Sequence, residues 1–488
     1  MRGYKFAIFV LSILILLYLL YQLQSYMAYR NLLPPGTVIA GLDVGLLNEE
    51  EAKTLIDQAF DSPVVLYYGS NSFKLNPRRV EFRLDQSTVW ATVARRRAQT
   101  QFLEGFGLYL LGESPEPLNI GVDGRYNDQK LIQFLNEIAR QQDRGMLEPQ
   151  IEQETLTYNM GTPARWLDIE ASLPLVEAAL NSASARQVTL VVREGAQPPA
   201  PDISLLKQMI DWRLSEWPGI VGVFAKNMST GEELVINGDV AYAGMSILKI
   251  PIMIETYRYL KSEPDEETAK LLHETMIQSG NFTANLLLRQ LGAIQAGNDS
   301  AFAGVEVLNN TLKKLGLVNT FMATPYDTKE LPRHISTPAN SRTDLSTNPD
   351  PYMQTTPFET GLFLEMIYQL AQGGGTLMAA FPGSFTAQEG QAMIDLMAQN
   401  HEAILLEGGL PKGVTIAHKH GYVADTHADA AIVLVPGGND FVLVVFIYAN
   451  TEWLGDRSVP IFRDLATATY NYFNLDHQYL REDLNQEE

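Results

Sequence analysis

The chain has 488 residues, 46% of them hydrophobic, which is enough sequence for about two to four domains with packed cores. Its formal net charge of -21 argues against a broad electrostatic attraction to nucleic acid, so we expect no nucleic-acid partner. Cysteine is absent, which excludes disulfide bonds, a thiolate nucleophile and cysteine-ligated metal sites.

The first segment is apolar and begins almost at the N-terminus. Arg2 and Lys5 precede residues 6–21, FAIFVLSILILLYLLY, a run close to the roughly 20 residues that span a bilayer. Basic residues before such a segment keep the N-terminus in the cytoplasm. A retained anchor and a cleaved signal peptide both fit the run, and the bulky residues after it favour the anchor. We therefore predict a cytoplasmic tip and one transmembrane helix over residues 1–30, with the remaining chain outside the cytoplasm.

Residues 34–194 alternate between short strand patterns and helical patterns, which predicts a smaller α+β region. The stretch GLDVGLLNEEEA, residues 41–52, joins a short strand to an acidic helix start, and a related order recurs at residues 161–168. On these patterns the region resembles the peptidoglycan-binding domain found beside VanW-type wall-associated proteins, which implies contact with the cell wall. A spacer that carries the next domain clear of the membrane is the alternative.

A linker follows at residues 195–202, within the stretch EGAQPPAPD (residues 194–202), which contains three prolines and no periodicity. Beyond it, residues 203–217 have a helical pattern. The segments GIVGVFAKN and LVING then flank the turn residues MSTGEE, which predicts a helix packed against an antiparallel hairpin. We assign residues 203–475 to one domain and residues 476–488 to a polar tail.

The stretch AYAGMSILKIPI, residues 241–252, contains Ser246 three places before Lys249. On a helix these two positions share a face, so their side chains can touch. A serine hydroxyl attacks a carbonyl only when a base takes its proton, and a lysine is such a base when burial or nearby cations lower its pKa. The pair alone is a weak signal, because Ser-x-x-Lys arises by chance in many chains.

Two further motifs follow in order. Residues 279–281, Ser-Gly-Asn, stand just before an apolar helical pattern, and residues 419–421, Lys-His-Gly, lie in a predicted strand. The order Ser-x-x-Lys, Ser-x-Asn, Lys-x-Gly is the motif set of class A β-lactamases and penicillin-binding proteins. Residues 203–475 therefore resemble the class A β-lactamase-related serine hydrolases.

The resemblance implies an α+β fold in which an antiparallel sheet is flanked by helices and accompanied by a mostly helical lobe. It also implies that Ser246 is the nucleophile, Lys249 its base, and Ser279 the donor of a proton to the leaving nitrogen. The implied substrate-binding residues are Asn281, Lys419, His420, Gly421 and Tyr422. The implied substrate is a β-lactam or a cell-wall peptide, and the resemblance implies neither a metal nor a cofactor.

The sequence departs from the family at the step that releases the acyl group. Hydrolytic members carry a loop glutamate that activates water shortly before a Thr-Thr-x-Pro helix start. The matching start here is at residues 355–357, and no glutamate occurs between Glu330 and Glu359. Only Asp344 and Asp350 offer carboxylates there, each one methylene shorter than glutamate. The sequence therefore predicts slow or failed deacylation.

A second departure is His420, which stands where the family has a hydroxyl that helps to bind a β-lactam carboxylate. Two functions remain open. One is a serine hydrolase of the β-lactamase, D,D-peptidase or esterase type, and the other is a wall scaffold that binds penicillin or peptidoglycan without hydrolysis.

Two other patterns are given a structural interpretation. His418, His420, His427 and Asp429 have no recognised zinc spacing, so packed or substrate-facing residues are preferred to a metal site. The apolar residues 102–112, FLEGFGLYLLG, are interpreted as core packing in preference to a membrane or ligand patch.

Overall fold

The structure is a computed structural model that describes residues 2–99, 101–260, 263–330, 332–401 and 404–484. These residues form fifteen α-helices and twenty β-strands, so the predicted mixed α+β class is confirmed. The helices are α1 (Arg2–Tyr29), α2 (Glu49–Asp61), α3 (Ser87–Gln99), α4 (Phe102–Leu110), α5 (Asp128–Gln142), α6 (Ile169–Leu180), α7 (Ile203–Leu214), α8 (Lys249–Tyr259), α9 (Glu266–Met276), α10 (Asn281–Ala296), α11 (Ala301–Lys314), α12 (Pro357–Ala371), α13 (Thr376–Ala380), α14 (Ala387–Met397) and α15 (Val459–Phe473). The strands are β1 (Val38–Ile39), β2 (Leu42–Asp43), β3 (Val64–Tyr68), β4 (Asn71–Leu75), β5 (Arg83–Leu84), β6 (Asn119–Ile120), β7 (Gly124–Arg125), β8 (Gln150–Glu152), β9 (Thr157–Asn159), β10 (Arg165–Leu167), β11 (Gln187–Thr189), β12 (Val192–Glu194), β13 (Ile220–Asn227), β14 (Glu233–Ile236), β15 (Tyr242–Ala243), β16 (Phe321–Met322), β17 (Met353–Thr355), β18 (Thr415–Tyr422), β19 (Thr426–Leu434) and β20 (Phe441–Tyr448).

The chain divides into two compact units. Unit 1 comprises Met1–Glu148 and Gly161–Pro198, and unit 2 comprises Pro149–Met160 and Pro199–Glu488. The hairpin of β8 and β9 thus belongs to unit 2, although it precedes the proline-rich linker in sequence. There the Tyr158 hydroxyl donates a hydrogen bond to the Ala468 carbonyl on α15, 3.1 Å away.

Helix α1 is long and apolar. Its segment Tyr4–Tyr29 contains an 18-residue window with a mean hydropathy of 2.5 and no buried residue, while Tyr26 near the end of the helix is buried. By length and composition this helix can cross a membrane, and a signal sequence near an N-terminus has the same properties.

Unit 1 has two small hydrophobic cores. In the first, α5 and α6 share a core with the three-stranded sheet ordered β11-β3-β4. Helix α5 turns the four apolar residues at helical spacing inward, and the buried set is Leu131, Phe134, Leu135 and Ile138. The second core lies under α2, which begins at the predicted acidic segment, where Asn48 and Glu51 form a reciprocal capping box.

Helix α4, which the sequence analysis interpreted as core packing, has one side exposed. Gly105 is its buried residue, while Leu103 and the adjoining Leu111 are 80% and 76% exposed. The core-packing interpretation is therefore wrong for this side of the helix. The other side lies against the C-terminal end of α1, where the Tyr26 ring centroid is 5.5 Å from that of Phe106.

Unit 2 is built on an antiparallel five-stranded sheet ordered β14-β13-β20-β19-β18. The central strand β20, FVLVVFIY, is buried at every position because helices cover both faces of the sheet. Alternate residues of β20 contribute to two cores, one shared with α7 and α15 and the other with α8 and α12. Helix α7 followed by the hairpin of β13 and β14 is the arrangement predicted from the sequence.

Helices α9, α10 and α11 pack together as a helical lobe beside α8. Strand β18 occupies one edge of the sheet and contacts the turn Met245–Leu248 that leads into α8. An antiparallel sheet flanked by helices, with a helical lobe, is the architecture that the family resemblance implies. The edge strand and the turn bring the first and third motifs side by side.

Candidate active site

Ser246 lies in a single 3-10 turn, Met245–Leu248, immediately before α8. The preceding residue, Met245, has a φ of 49°, a left-handed conformation that is costly for a side chain with a Cβ. The Tyr326 hydroxyl donates a hydrogen bond to the Met245 carbonyl over 2.9 Å and stabilises this conformation. The turn leaves Ser246 partly exposed, while Lys249 at the start of α8 is fully buried.

Lys249 is held by oxygen atoms from two motifs. Its Nζ lies 2.6 Å from the Ser279 carbonyl oxygen, 2.8 Å from Asn281 Oδ1 and 2.8 Å from Ser246 Oγ. A carbonyl oxygen and an amide oxygen only accept, so both take hydrogens from Nζ. The hydrogen bond between Lys249 Nζ and Ser246 Oγ can run either way, because a hydroxyl can donate as well as accept. A proton can therefore pass between Ser246 and Lys249 along this line.

Ser279 completes the polar cluster. Its Oγ donates to Ser246 Oγ over 2.8 Å and lies 3.3 Å from Lys249 Nζ. Ser279 has a φ of 56°, so a second strained residue is located at this site. The structure thus brings together Ser246, Lys249, Ser279 and Asn281, four of the eight predicted site residues, through direct hydrogen bonds.

Gly280 occupies the position at which the family has an aspartate. A Cβ there would lie 2.5 Å from Thr283 Oγ1, so the threonine fills the space next to this glycine. The Thr283 hydroxyl also donates to the Gly280 carbonyl over 3.2 Å. The loop is consequently packed without the aspartate side chain.

Strand β18 carries the third motif. Lys419 is fully buried, and its Nζ donates to the His420 carbonyl over 3.0 Å. Burial lowers the pKa of His420 to about 4, and the positive charge of the adjacent Lys419 acts in the same direction. His420 is therefore a neutral imidazole at pH 7.

Gly421 lies against the turn that carries Ser246. A Cβ on Gly421 would be 3.0 Å from the backbone nitrogen of Ser246 and 3.0 Å from Met245 Cβ. Only glycine permits this approach without displacement of a neighbour. The next residue, Tyr422, ends β18 with an exposed side chain. The motif thus places the end of β18 over the backbone amide of Ser246.

Asp327 was not predicted from the sequence, because it precedes the stretch between Glu330 and Glu359 in which a carboxylate was expected. The Asn281 side-chain amide donates to Asp327 Oδ2 over 3.0 Å, so this carboxylate joins the cluster through Asn281. Its neighbour Tyr326 places its ring centroid 4.8 Å from Lys249 Nζ. The φ of 54° at Asp327 was not predictable from local sequence, because few residues other than glycine adopt it.

The two aspartates that the sequence analysis did consider make local contacts. Asp344 accepts from the Arg342 guanidinium over 2.6 Å, and Asp350 accepts from the Tyr352 backbone N–H over 2.7 Å. Both contacts lie within the loop itself. Asp327 is the carboxylate that the fold connects to the candidate active site.

The histidines considered for a metal site have other partners. His418 is fully buried, with Nδ1 2.9 Å from Asp429 Oδ1 and Nε2 2.9 Å from the Asn400 carbonyl oxygen. Desolvation alone would lower the pKa of His418, but the charge and hydrogen bond of Asp429 outweigh it and raise the pKa. His427 Nδ1 lies 2.8 Å from Ser458 Oγ. These rings are thus held by hydrogen bonds.

Fold and site together define a serine hydrolase-like domain in unit 2. A sequence profile described as the beta-lactamase enzyme family matches residues 205–265 and 264–473, which is more than half of the chain. The chain therefore belongs to the beta-lactamase enzyme family. No curated protein sequence matches it.

Solved structures of similar fold include PBP-A and class A β-lactamases. A substituted PBP-A, described as an acyl-enzyme complex with penicillin G, is 20% identical, covers 57% of this chain and 98% of its own, and has a TM-score of 0.43. A β-lactamase from Desulfarculus baarsii is 17% identical, with 56% of this chain and 98% of its own covered and a TM-score of 0.42. A β-lactamase from Xanthomonas campestris is 19% identical, with 55% of this chain and 97% of its own covered and a TM-score of 0.40.

Proposed function

We propose that the chain is a membrane-anchored, extracytoplasmic serine hydrolase that is acylated at Ser246 by β-lactams or by cell-wall peptide-like substrates. The observation that carries the proposal is the contact of Ser246 Oγ with Lys249 Nζ and with Ser279 Oγ, each over 2.8 Å. Packing alone does not account for a buried lysine that faces two serine hydroxyls, because an apolar side chain would pack there at a lower cost.

The acylation step follows from these contacts. Lys249, as a neutral amine, takes the Ser246 proton while Oγ attacks the substrate carbonyl carbon. The carbon–nitrogen bond of the substrate then breaks, and Ser279 passes the proton to the leaving nitrogen. The backbone N–H groups of Ser246 and Tyr422 stabilise the oxyanion, each worth roughly 2.7 to 4 kcal/mol in the transition state.

Substrate binding is assigned to Asn281 and to strand β18. Asn281 holds the substrate amide, and the fixed charge of Lys419 attracts a substrate carboxylate. Neutral His420 adds no charge to this attraction at pH 7, because its pKa is lowered to about 4. We therefore propose weaker binding of carboxylate-bearing β-lactams than a second cation in this position would give.

Deacylation is proposed to be slow, with Asp327 as the group that orients or deprotonates the attacking water. Its support is the hydrogen bond from Asn281, which ties the Asp327 carboxylate to the residue that also contacts Lys249. The side chain of Asp327 is exposed, so water has access to it. The stretch between Glu330 and Glu359 offers no glutamate for this step, which supports a long-lived acyl-enzyme.

A second candidate function is a wall-binding protein whose hydrolase domain binds penicillin or peptidoglycan but does not turn it over. The stretch between Glu330 and Glu359, which contains no glutamate, favours it. In both cases we propose residues 34–194, apart from the hairpin of β8 and β9 that belongs to unit 2, as a peptidoglycan-binding region, and residues 203–475 as the domain that meets the substrate.

Labelling with a fluorescent penicillin tests the proposal. The full chain in detergent is expected to acquire a covalent label, the Ser246→Ala variant none, and the label is expected to persist through a chase with unlabelled drug. Equal labelling of both proteins would contradict the nucleophile assignment. Rapid loss of label in the chase would contradict slow deacylation.

A further inference from the structure

Helix α4 carries apolar residues on two of its sides and one charged residue, Glu104, which is exposed. The inward side carries Phe102, Phe106 and Tyr109 at spacings of four and three residues, and all three rings lie within 5.6 Å of the Tyr26 ring centroid on α1. The outward side consists of Leu103, Gly107, Leu110 and Leu111. Surface helices of soluble proteins carry charged or polar residues on the side away from their core.

The outward side is open. Leu103 is 80% exposed, Leu111 is 76% exposed, and a Cβ built on Gly107 would meet no atom within 4 Å. With Leu110, which is 40% exposed, these leucines form an apolar surface along one side of the helix, of the kind that binds another protein or a membrane.

The position of α4 on α1 identifies the partner. Tyr26 and Tyr29 lie at the C-terminal end of the apolar segment Tyr4–Tyr29, where aromatic side chains belong to the head-group level of a bilayer. Tyr109 of α4 is 5.3 Å from Tyr29 between ring centroids, so α4 is held at the same level. The next residue after Tyr29, Arg30, is exposed and stacks its guanidinium 5.3 Å from the Phe102 ring centroid, which places a cation there for lipid phosphates.

We propose that α4 is an interfacial helix whose leucine side lies in the outer surface of the phospholipid bilayer that α1 crosses. The inference rests on the proposed role of α1 as a retained membrane anchor. Such helices bury their apolar side about 5–10 Å into the boundary between head groups and acyl chains. Unit 1 is then attached to the membrane at two points, by α1 and by α4, instead of moving freely on a single helix.

The absence of cysteine from the sequence makes a direct test possible, because one introduced cysteine gives one spin-label site. The full chain is reconstituted into phosphatidylcholine and phosphatidylglycerol vesicles with a label at Leu103→Cys or Leu111→Cys. Leu14→Cys in α1 serves as the anchor control, and Ile132→Cys, an exposed apolar position on α5, serves as the aqueous control. All four side chains are exposed in the protein, so the substitutions leave its cores intact.

We expect the labels at 103 and 111 to be accessible to oxygen dissolved in lipid, shielded from a water-soluble nickel chelate, and about 5–10 Å below the phosphates. The label at 132 is expected to be accessible to the chelate. If the labels at 103 and 111 are accessible to the chelate, as the label at 132 is, while the label at 14 is in lipid, α4 does not bind the bilayer. The assignment of α1 as a membrane anchor would then remain supported. Shielding from both reagents would mean that protein covers the leucines and would also overturn the proposal. A label at 14 that is accessible to the chelate would refute the anchor itself.

Discussion

Replacement of Gly421 by alanine tests the close approach of β18 to the nucleophile. The added Cβ would lie 3.0 Å from the Ser246 backbone nitrogen, which is inside normal contact distance and next to the N–H proposed to bind the oxyanion. If that N–H no longer reaches the oxyanion, the acylation rate falls roughly 100- to 1,000-fold, equivalent to about 2.7 to 4 kcal/mol. Binding before the chemical step is affected less, because the donor acts on charge that develops in the transition state.

The assay is stopped-flow acylation by a chromogenic cephalosporin over a range of concentrations, which separates binding from the acylation rate. The same Cβ lies 3.0 Å from Met245 Cβ, so a loss of about 1–3 kcal/mol in folding stability is also expected. Thermal denaturation shows whether the variant is folded at the assay temperature. Gly374→Ala is the matched control, since a Cβ at Gly374 would meet no atom within 4 Å. An acylation rate within about threefold of wild type for folded Gly421→Ala would refute the assignment of this N–H.

Three further changes probe the polar cluster and the buried pair beside it. Lys249→Met is expected to slow acylation by roughly 10²- to 10⁴-fold, because it removes the base that takes the Ser246 proton; stopped-flow kinetics measures the loss. Asp327→Asn keeps an acceptor for Asn281 but removes the base, so the adduct lifetime in a chase experiment is expected to lengthen roughly 10²-fold while acylation changes little. Asp429 raises the pKa of His418, so this histidine stabilises the fold below its unfolded pKa of about 6.5, and the contribution is lost as pH rises through the higher folded pKa. The melting temperature of wild type relative to His418→Gln is therefore expected to decrease between pH 6 and pH 9.

Controls are available for each change. Lys412→Met removes an exposed lysine and is expected to leave acylation unchanged. Asp344→Asn removes a carboxylate that is bound to Arg342 and is expected to leave the adduct lifetime unchanged. A melting-temperature difference that is constant with pH would contradict the charged state of His418.

The contacts that depend on local spacing were predictable from the sequence. Ser246 and Lys249 touch because they are three residues apart at the start of a helix, and Ser279 and Lys419 were located by the order of motifs. The left-handed conformations of Met245 and Ser279, which aim these groups at one another, were not predictable. Neither methionine nor serine favours a positive φ, so tertiary contacts such as that of Tyr326 determine it.

The remaining differences have similar causes. Asp327 reaches Asn281 because the residues after β16 pass beside α10, where Tyr326 and Asn285 exchange two hydrogen bonds, a long-range contact without a local signal. Helix α4 was interpreted as core packing because an apolar segment with two apolar sides has the same composition in a core and at a membrane surface. The hairpin of β8 and β9 joins unit 2 through contacts with α7 and α15, which the position of the linker does not indicate.

The central claim is that Ser246 is acylated and that the acyl-enzyme persists. Intact-protein mass spectrometry of the full chain in detergent, sampled over time after addition of penicillin, tests it most directly. The account predicts an adduct of the mass of the intact drug that maps to Ser246, remains for many minutes and is absent from Ser246→Ala. Hydrolysed drug beside unmodified protein would contradict slow deacylation, and an adduct on Ser246→Ala, or no adduct on wild type, would contradict the nucleophile assignment.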